Sequence, residues 1–427
     1  MIDSLDNHLQ ALYRLRRFGI KLGLNPMTRL MRGLGNPHAA YACIHVAGTN
    51  GKGSIAALIS CILSHAGYKV GLYTSPHLVR FNERIQVNGS PIADKEVIEA
   101  AEAVRRVYTQ SDPPTFFECA TAMALYHFAK EAVDWAVLET GMGGRYDATN
   151  IIKPHVCAIS NVGMEHTEYL GTRLVDIASE KAGIIKPGVG IVTGVRQRNA
   201  LAVIEEAAAN ADAPLRRLGK EITVRRKDNG SFDYTGPESR WGGLTLGLSG
   251  VHQVQNAGLA LGAVELLREK GLPLPDQAIY AGVKEVSWPG RLETVCKSPL
   301  IILDGAHNPA AVTTLERFLR ANIDPATLTM IVGILRDKAW KIMLQRLAAI
   351  CNRIILTRPQ YERAGNPEEQ ARFVRKYNPN VKTIHRVADA IAFAMDTLPS
   401  GAAICITGSL YTVGEAKAYL ERRHSAS

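Results

Sequence analysis

The sequence predicts an α/β protein of two domains, a larger first one built on a parallel sheet and a smaller second one. Three observations carry this. The 427 residues exceed what one hydrophobic core comfortably organises. From Tyr41 an apolar, β-branched run leads into a glycine loop and a small-residue helix, and the strand-loop-helix rhythm returns at 135–140 and 155–161. A second series of strands opens near Leu300, over 300–303, 329–332, 353–356, 381–384 and 403–406, each but the last followed by a helix-compatible stretch.

Strands that read as unbroken apolar runs are those buried on both faces, as in a parallel sheet covered by helices. The segment 222–248 breaks the rhythm with Gly, Asp, Ser and Trp in short alternating stretches, and predicts an antiparallel insertion or edge hairpins. Residues 416–422 supply a last helix. The join is expected between Cys296 and Pro299, giving domains 1–296 and 297–427. The chain has no internal repeat and no low-complexity segment.

Composition excludes several classes. The apolar (46%) and charged (21%) fractions are those of an ordinary globular protein, so extended disorder is not expected. The first seventeen residues mix Asp3, Asp6, His8, Arg14 and Arg16 with isolated leucines, unlike a signal or transit peptide. No apolar run is long enough to span a bilayer, so a cytoplasmic address without membrane partners is expected. Cys43, Cys61, Cys119, Cys157, Cys296, Cys351 and Cys405 are scattered and form no C-x-x-C, against a disulfide framework or zinc ribbon. The formal charge of +10 comes from basic residues spread along the chain, with no Lys/Arg block and little aromatic interleaving. Nucleic acid is therefore not expected as a partner, and small polyanionic substrates explain the excess as well.

The first glycine loop carries chemistry. Ile44-His45-Val46-Ala47 runs into Gly48-Thr49-Asn50-Gly51-Lys52-Gly53-Ser54, followed by a helix-compatible run over 55–65. Glycines let backbone N–H groups curl around phosphate oxygens, the helix N-terminus adds positive potential, Lys52 neutralises charge, and Ser54 is placed to ligate magnesium. This predicts a nucleoside-triphosphate site. The run departs from G-x-x-x-x-G-K-[ST]: Val46 takes the first glycine position, and Gly53 separates lysine from hydroxyl. A glycine-rich turn after a strand is the competing reading.

The variant G-T-N-G-K-G-S resembles that of the folylpolyglutamate synthase and dihydrofolate synthase family, relatives of the muramyl peptide ligases. Further matches run nearly the whole length. They are Thr74-Ser75-Pro76-His77-Leu78, Phe81-Asn82-Glu83-Arg84-Ile85, Leu138-Glu139-Thr140-Gly141-Met142-Gly143-Gly144-Arg145 and Asp147-Ala148-Thr149-Asn150. After them come Glu165-His166, Glu180-Lys181-Ala182-Gly183-Ile184, Trp288-Pro289-Gly290-Arg291-Leu292-Glu293, Asp304-Gly305-Ala306-His307-Asn308-Pro309 and Thr407-Gly408-Ser409-Leu410-Tyr411. The resemblance implies an N-terminal P-loop ATPase domain with a parallel sheet, and a smaller C-terminal Rossmann-like α/β domain that receives glutamate.

Each further candidate has an ordinary reading beside the functional one. Glu139 ends an apolar strand, where open α/β sheets present functional groups; beside the phosphate loop it reads as a magnesium ligand rather than a loop acid. A lone His166 is more often structural, but the resemblance implies a second magnesium ligand, with Ser75 beside it. Glu165 stands where the family usually has Asp, and is assigned no role. Lys181 reads as a solvated helix-end lysine; the resemblance implies a carbamylated lysine organising two magnesium ions. Asn256 reads as an N-cap of a helix over 257–267, and Arg291 as a salt-bridging residue. The resemblance puts Asn256 near the nucleotide and Arg291 on its phosphates, reached when the two domains close. Asp304 would otherwise form an Asx-turn; the resemblance assigns it to the nucleotide side, and His307 and Ser409 to the incoming glutamate. Phe117, Glu118 and Thr121 belong to what reads as a buried helix start, and Asp147 to a turn; the resemblance sets all four along the pterin pocket.

The implied activity is an ATP- and magnesium-dependent ligase joining glutamate to dihydropteroate or a folate through an acyl phosphate, acting as a monomer on small molecules. A muramyl peptide ligase-like enzyme and a non-catalytic P-loop switch are the alternatives. The Ser75-Pro76-His77-Leu78 stretch and the lack of a uridine-binding domain before the loop argue against the first. Glu139, His166 and the second-domain residues argue against the other.

Overall fold

The computed structural model describes residues 4–19, 23–109, 111–399 and 401–426. They form two compact units, one comprising residues up to 77, 81–247 and 253–287, the other 78–80, 248–252 and 288–427.

The first unit is built on an eight-stranded sheet: β1 (Ala42–Ala47), β2 (Val70–Tyr73), β3 (Ile85–Val87), β4 (Ser90–Pro91), β5 (Trp135–Glu139), β6 (Val156–Ile159), β7 (Gly190–Thr193) and β8 (Leu215–Arg217), in the order β4-β3-β2-β5-β1-β6-β7-β8. All neighbours from β2 to β8 are parallel, and only the β2-β3-β4 edge is antiparallel. The apolar runs of β1, β5, β6 and β7 are buried almost throughout, as helices on both sides of a parallel sheet require. One core gathers Tyr73, Ala136 and Leu138 with the helix Phe116–Lys130; another gathers Ile159 and Ile191 with the helices Leu174–Ala182 and Arg198–Asn210.

The irregular stretch 222–248 is a three-stranded antiparallel sheet of β9 (Thr223–Arg226), β10 (Phe232–Thr235) and β11 (Arg240–Leu244). A fully buried carboxylate anchors it. Glu265, on the helix Val251–Glu269, accepts from Tyr234 Oη at 2.7 Å, Arg216 Nη1 at 2.9 Å and the backbone N–H of Glu238 at 2.8 Å. A buried charge is tolerated because its lone pairs are so fully met.

The second unit carries β12 (Glu293–Lys297), β13 (Leu300–Leu303), β14 (Leu328–Val332), β15 (Arg353–Leu356), β16 (Val381–Thr383) and β17 (Ala403–Thr407), ordered β12-β13-β17-β14-β15-β16 and parallel except for β12. The strands fall where the sequence places them. The division between units falls at Ser287–Trp288 rather than between Cys296 and Pro299, because β12 pairs antiparallel with β13 and so belongs to the second sheet. The last helix is Leu410–Ala426, begun six residues before the expected 416 by a cap at Ser409. The cysteines are all free thiols, and no described helix is long and apolar enough to cross a membrane.

Candidate functional site

The strand order of the first unit reverses at β1, which lies between β5 and β6, and a crevice opens beyond the carboxyl ends of strands at such a point. Val46 sits opposite Glu139 on one side and Ala158 on the other, so three loops leave the sheet edge side by side. The loop after β1 is the glycine-rich run, and its helix begins at Lys52. Gly48 has φ +141°, and a Cβ there would stand 1.8 Å from Ser160 Oγ. Gly51 has φ +87°, and a Cβ would stand 2.5 Å from Asn256 Oδ1. Both positions exclude a side chain by conformation and by space.

The loop after β6 clasps the glycine loop, a feature the sequence does not announce. Ser160 Oγ and Asn161 Nδ2 donate to Asn50 O at 2.6 and 2.8 Å, Asn50 N–H donates to Asn161 Oδ1 at 3.0 Å, and Thr49 N–H donates to Asn161 O at 2.9 Å. Gly163 N–H donates to Thr49 Oγ1 at 2.9 Å. With its outer polar groups so held, the loop keeps a fixed curl. Lys52 Nζ folds over it, donating to Gly48 O at 3.0 Å, and Ser54 is buried on the first helical turn. Asn256 is no N-cap: it lies inside the helix Val251–Glu269, where its Nδ2 donates to buried Gln253 Oε1 at 2.8 Å and its Oδ1 faces Gly51. A cavity of about 220 Å³ adjoins it, lined by Ser160, Asn161, Arg196, Gln197 and Leu259.

Glu139, the last residue of β5, is buried; its Oε2 accepts from Ser75 N–H at 3.2 Å, and its Oε1 is 4.0 Å from Lys52 Nζ. The structure thus brings Glu139, Ser75 and the phosphate loop together. His166 is exposed, with φ 47°, at the start of the short helix Thr167–Leu170. Among the described residues no three His, Cys, Asp or Glu side chains converge on one point as a finished metal cage. The donors at hand are one carboxylate and the hydroxyls of Ser54 and Ser75, a hard-oxygen set that suits magnesium sharing its remaining positions with water and phosphate.

Lys181 is fully buried in the helix Leu174–Ala182, so it is no solvated helix-end residue. Its Nζ donates to Glu165 Oε1 at 2.6 Å. Burial pushes the lysine towards its neutral amine and Lys52 adds to this, while Glu165 opposes them. Burial alone would raise the Glu165 carboxyl, but Lys181 and Lys52 hold it down to about 2. Glu165, left without a role by the sequence, is therefore the charge partner of Lys181. Sixteen residues separate the two, so only the tertiary fold pairs them.

The stretch set along the pterin pocket is a helix start. Thr115 and Glu118 form a reciprocal capping box, Glu118 Oε2 accepting from Thr115 N–H and Oγ1 at 2.7 and 2.8 Å. Thr121 is buried and donates to Tyr73 Oη at 3.1 Å. Phe117 alone of the three stays half-buried, its ring against Gly141, where a Cβ would stand 2.4 Å from Cζ. Asp147 is buried; Oδ1 accepts from Thr149 N–H and Oγ1 at 3.0 and 2.5 Å, and Oδ2 from Met142 N–H at 2.9 Å.

In the second unit the carboxyl ends of β13 and β17 are neighbours, Asp304 N–H donating to Ile406 O at 3.0 Å. Asp304 forms the Asx-turn, its Oδ1 accepting from Ala306 N–H and its Oδ2 from Leu292 N–H, both at 3.0 Å. Burial raises this carboxyl, and nearby Arg291 draws it back. The Arg291 guanidinium lies over Gly305, where a Cβ would stand 2.2 Å from Nη1, and half-buried His307 has Nδ1 2.8 Å from Gly305 O. Ser409 is buried, its Oγ receiving Thr412 N–H at 3.1 Å and lying 2.8 Å from Thr412 Oγ1. It caps the last helix. One edge of one unit therefore holds Arg291, Asp304, His307 and Ser409.

A strand, glycine loop and helix with a lysine and a buried strand-end carboxylate, in a chain of two α/β units, define a phosphate-binding α/β protein. The comparisons narrow this. The family model for the Mur ligase middle domain matches residues 46–264, and that for the Mur ligase glutamate ligase domain matches 290–410. The dihydrofolate synthase/folylpolyglutamate synthase of Bacillus subtilis is 36% identical over 416 residues, covering 95% of this chain and 96% of that one. The structure of Escherichia coli FolC in complex with DHPP and ADP superposes with a TM-score of 0.91 at 30% identity, covering 99% of each chain. That of the Yersinia pestis bifunctional folylpolyglutamate synthase/dihydrofolate synthase with AMPPNP and Mn ion has a TM-score of 0.87 at 29% identity, covering 98% of each. The chain belongs to the folylpolyglutamate synthase/dihydrofolate synthase family of Mur ligases.

Proposed function

We infer that this chain is an ATP-dependent, ADP-forming ligase that joins the amino group of L-glutamate to dihydropteroate, to the glutamyl chain of folates, or to both. The observation that carries the reading is the clasped glycine loop with Lys52 beside buried Glu139, joined to family membership over nearly the whole length. The γ-phosphoryl group of ATP passes to the substrate carboxylate, and the amine of glutamate attacks the resulting acyl phosphate, releasing phosphate. The chain's contribution is position and charge. Backbone N–H groups from Gly51 to Ser54, at the N-terminus of the helix Lys52–His65, face the phosphates, and Lys52 neutralises them. Asn256 and the adjoining cavity take the nucleoside side. Magnesium, when bound, draws charge from the phosphoryl oxygens. Ser54, Ser75, Glu139 and His166 are the residues assigned to hold it, as two ions.

Lys181 is assigned to carry a carbamate beside those ions. Its burial and its push towards the neutral amine support this, since carbon dioxide adds to the amine and not to the ammonium. Arg291 and Asp304 are assigned to the nucleotide, His307 and Ser409 to glutamate, and the face of Phe117 to the acid substrate. The enzyme is proposed to act as a monomer on small molecules. The test offers dihydropteroate and tetrahydrofolate separately with glutamate and Mg-ATP. Expected are glutamylated product and one ADP per bond formed; ATP turnover indifferent to both acids would refute the reading.

A further inference from the structure

His45 lies in the middle of β1, fully buried, with Nε2 2.8 Å from Thr149 Oγ1. Thr149 Oγ1 is in turn 2.5 Å from Asp147 Oδ1. Burial raises the Asp147 carboxyl, but each oxygen already receives a backbone N–H, from Thr149 on Oδ1 and Met142 on Oδ2, and these donors favour the charged, accepting form. The threonine hydroxyl must then donate to Asp147, so its oxygen receives from His45, which requires the Nε2–H tautomer. The other ring nitrogen agrees: His45 Nδ1 is buried with no hydrogen-bond partner, so a proton there would be buried without an acceptor. Burial and nearby Lys186 push this imidazole down to about 3, so it is neutral at any physiological pH. The hydrogen bonds therefore run one way, from His45 through Thr149 to Asp147.

The far end of this relay holds a loop. Through Met142, Asp147 fixes the 141–144 turn, which is wedged between two candidate site elements. On one side Gly141 meets the Phe117 ring; on the other, a Cβ on Gly144 would stand 2.8 Å from Glu180 O, and Arg145 N–H donates to Glu180 O at 2.8 Å, on the helix of Lys181.

We propose that His45 and Thr149 are positioning residues for the acid substrate. Their relay holds Asp147, and Asp147 shapes the 141–144 loop against Phe117 and the Lys181 helix. The proposal rests on the reading that the face of Phe117 takes the pterin-bearing acid.

Three variants and one spectrum test it. Thr149→Val removes the hydroxyl at nearly constant volume, Thr149→Ser restores it, and His45→Gln keeps a side-chain N–H. Thr149→Val should raise KM for dihydropteroate or tetrahydrofolate roughly tenfold, leaving KM for ATP and glutamate within about threefold. Thr149→Ser should recover most of the loss, and His45→Gln should outperform His45→Leu. Equal losses on all three substrates, or no rescue by serine, would overturn the proposal. Ring 15N NMR of the full chain reads the relay without turnover: His45 should show a protonated Nε2 and a bare Nδ1, unchanged between about pH 5 and 8. A ring that titrates there, or carries its proton on Nδ1, would overturn the relay. A wild-type chain that extends neither acid would overturn the functional reading instead, with the tautomer still decided by the spectrum.

Discussion

Lys181 Nζ donates to Glu165 Oε1 at 2.6 Å, pairing the buried lysine of one helix with a carboxylate from the loop after β6. The pair has two consequences. It makes a lysine tolerable in a dry site, and it means that a carbamate formed on Lys181 must displace Glu165, since two anions cannot share that contact. Glu165 is then free to turn towards His166 and the cations of the phosphate site.

The pair also has a pH signature. The folded Glu165 carboxyl is held at about 2 against an ordinary value of 4.5, so the unfolded chain binds the proton more readily. Its contribution to stability is complete above about 4.5 and disappears as pH falls towards 2. Glu165→Gln should therefore lower the melting temperature at neutral pH and flatten its dependence on pH between those values. A variant that melts in parallel with wild type across that window would remove the pair from the stability account.

The legible parts of the molecule are those set by local pattern. Apolar runs of four to six residues gave the strands, and Gly48, Gly51 and Lys52 gave the phosphate loop, because both signals lie in consecutive residues. The start of the helix carrying Asn256 is less legible because helix starts are the weakest local signal: the helix continues through Gln253 back to Val251, and a polar residue within a helix looks like a cap from the sequence alone. Glu165 and Lys181, Ser160 and Asn50, and His45 and Thr149 were invisible for another reason. The last two pairs join segments made neighbours by the β5-β1-β6 order, and the first meets only where the loop after β6 folds onto the helix Leu174–Ala182; no residue pattern encodes either.

Glu139→Gln should fold as wild type and lose most ligase activity, because an amide is a poor magnesium ligand beside phosphates. The residual activity should need much more Mg²⁺ for half-saturation. Thermal melting checks the fold and a magnesium titration of turnover checks the role; near-normal turnover at low Mg²⁺ removes Glu139 from the metal site.

His307→Ala and Ser409→Ala should raise KM for glutamate far more than KM for ATP. They should differ in stability, since Ser409 caps the helix Leu410–Ala426 and His307 caps none. Loss of a cap costs about 1 kcal/mol, so Ser409→Ala should melt lower while His307→Ala should not. Steady-state kinetics with each substrate varied in turn separates the two effects; equal rises in both KM values would contradict the assignment to glutamate.

Lys181→Ala should nearly abolish activity, and the manner of the loss identifies the lysine's working form. If Lys181 acts as a carbamate, the alanine variant lacks an anion and has room for one, so a short carboxylate such as acetate should restore part of the turnover and a short amine should not. If it acts as the ammonium paired with Glu165, the preference reverses, because alanine then leaves an unopposed buried anion that an amine would neutralise. Wild type provides the second arm: removing bicarbonate and carbon dioxide from buffers should lower its activity reversibly, and mass spectrometry after chemical trapping should find the added carboxyl at residue 181. Rescue by amine, with full activity in carbon dioxide-free buffer, would establish that the resting pair of Lys181 and Glu165 is also the working one.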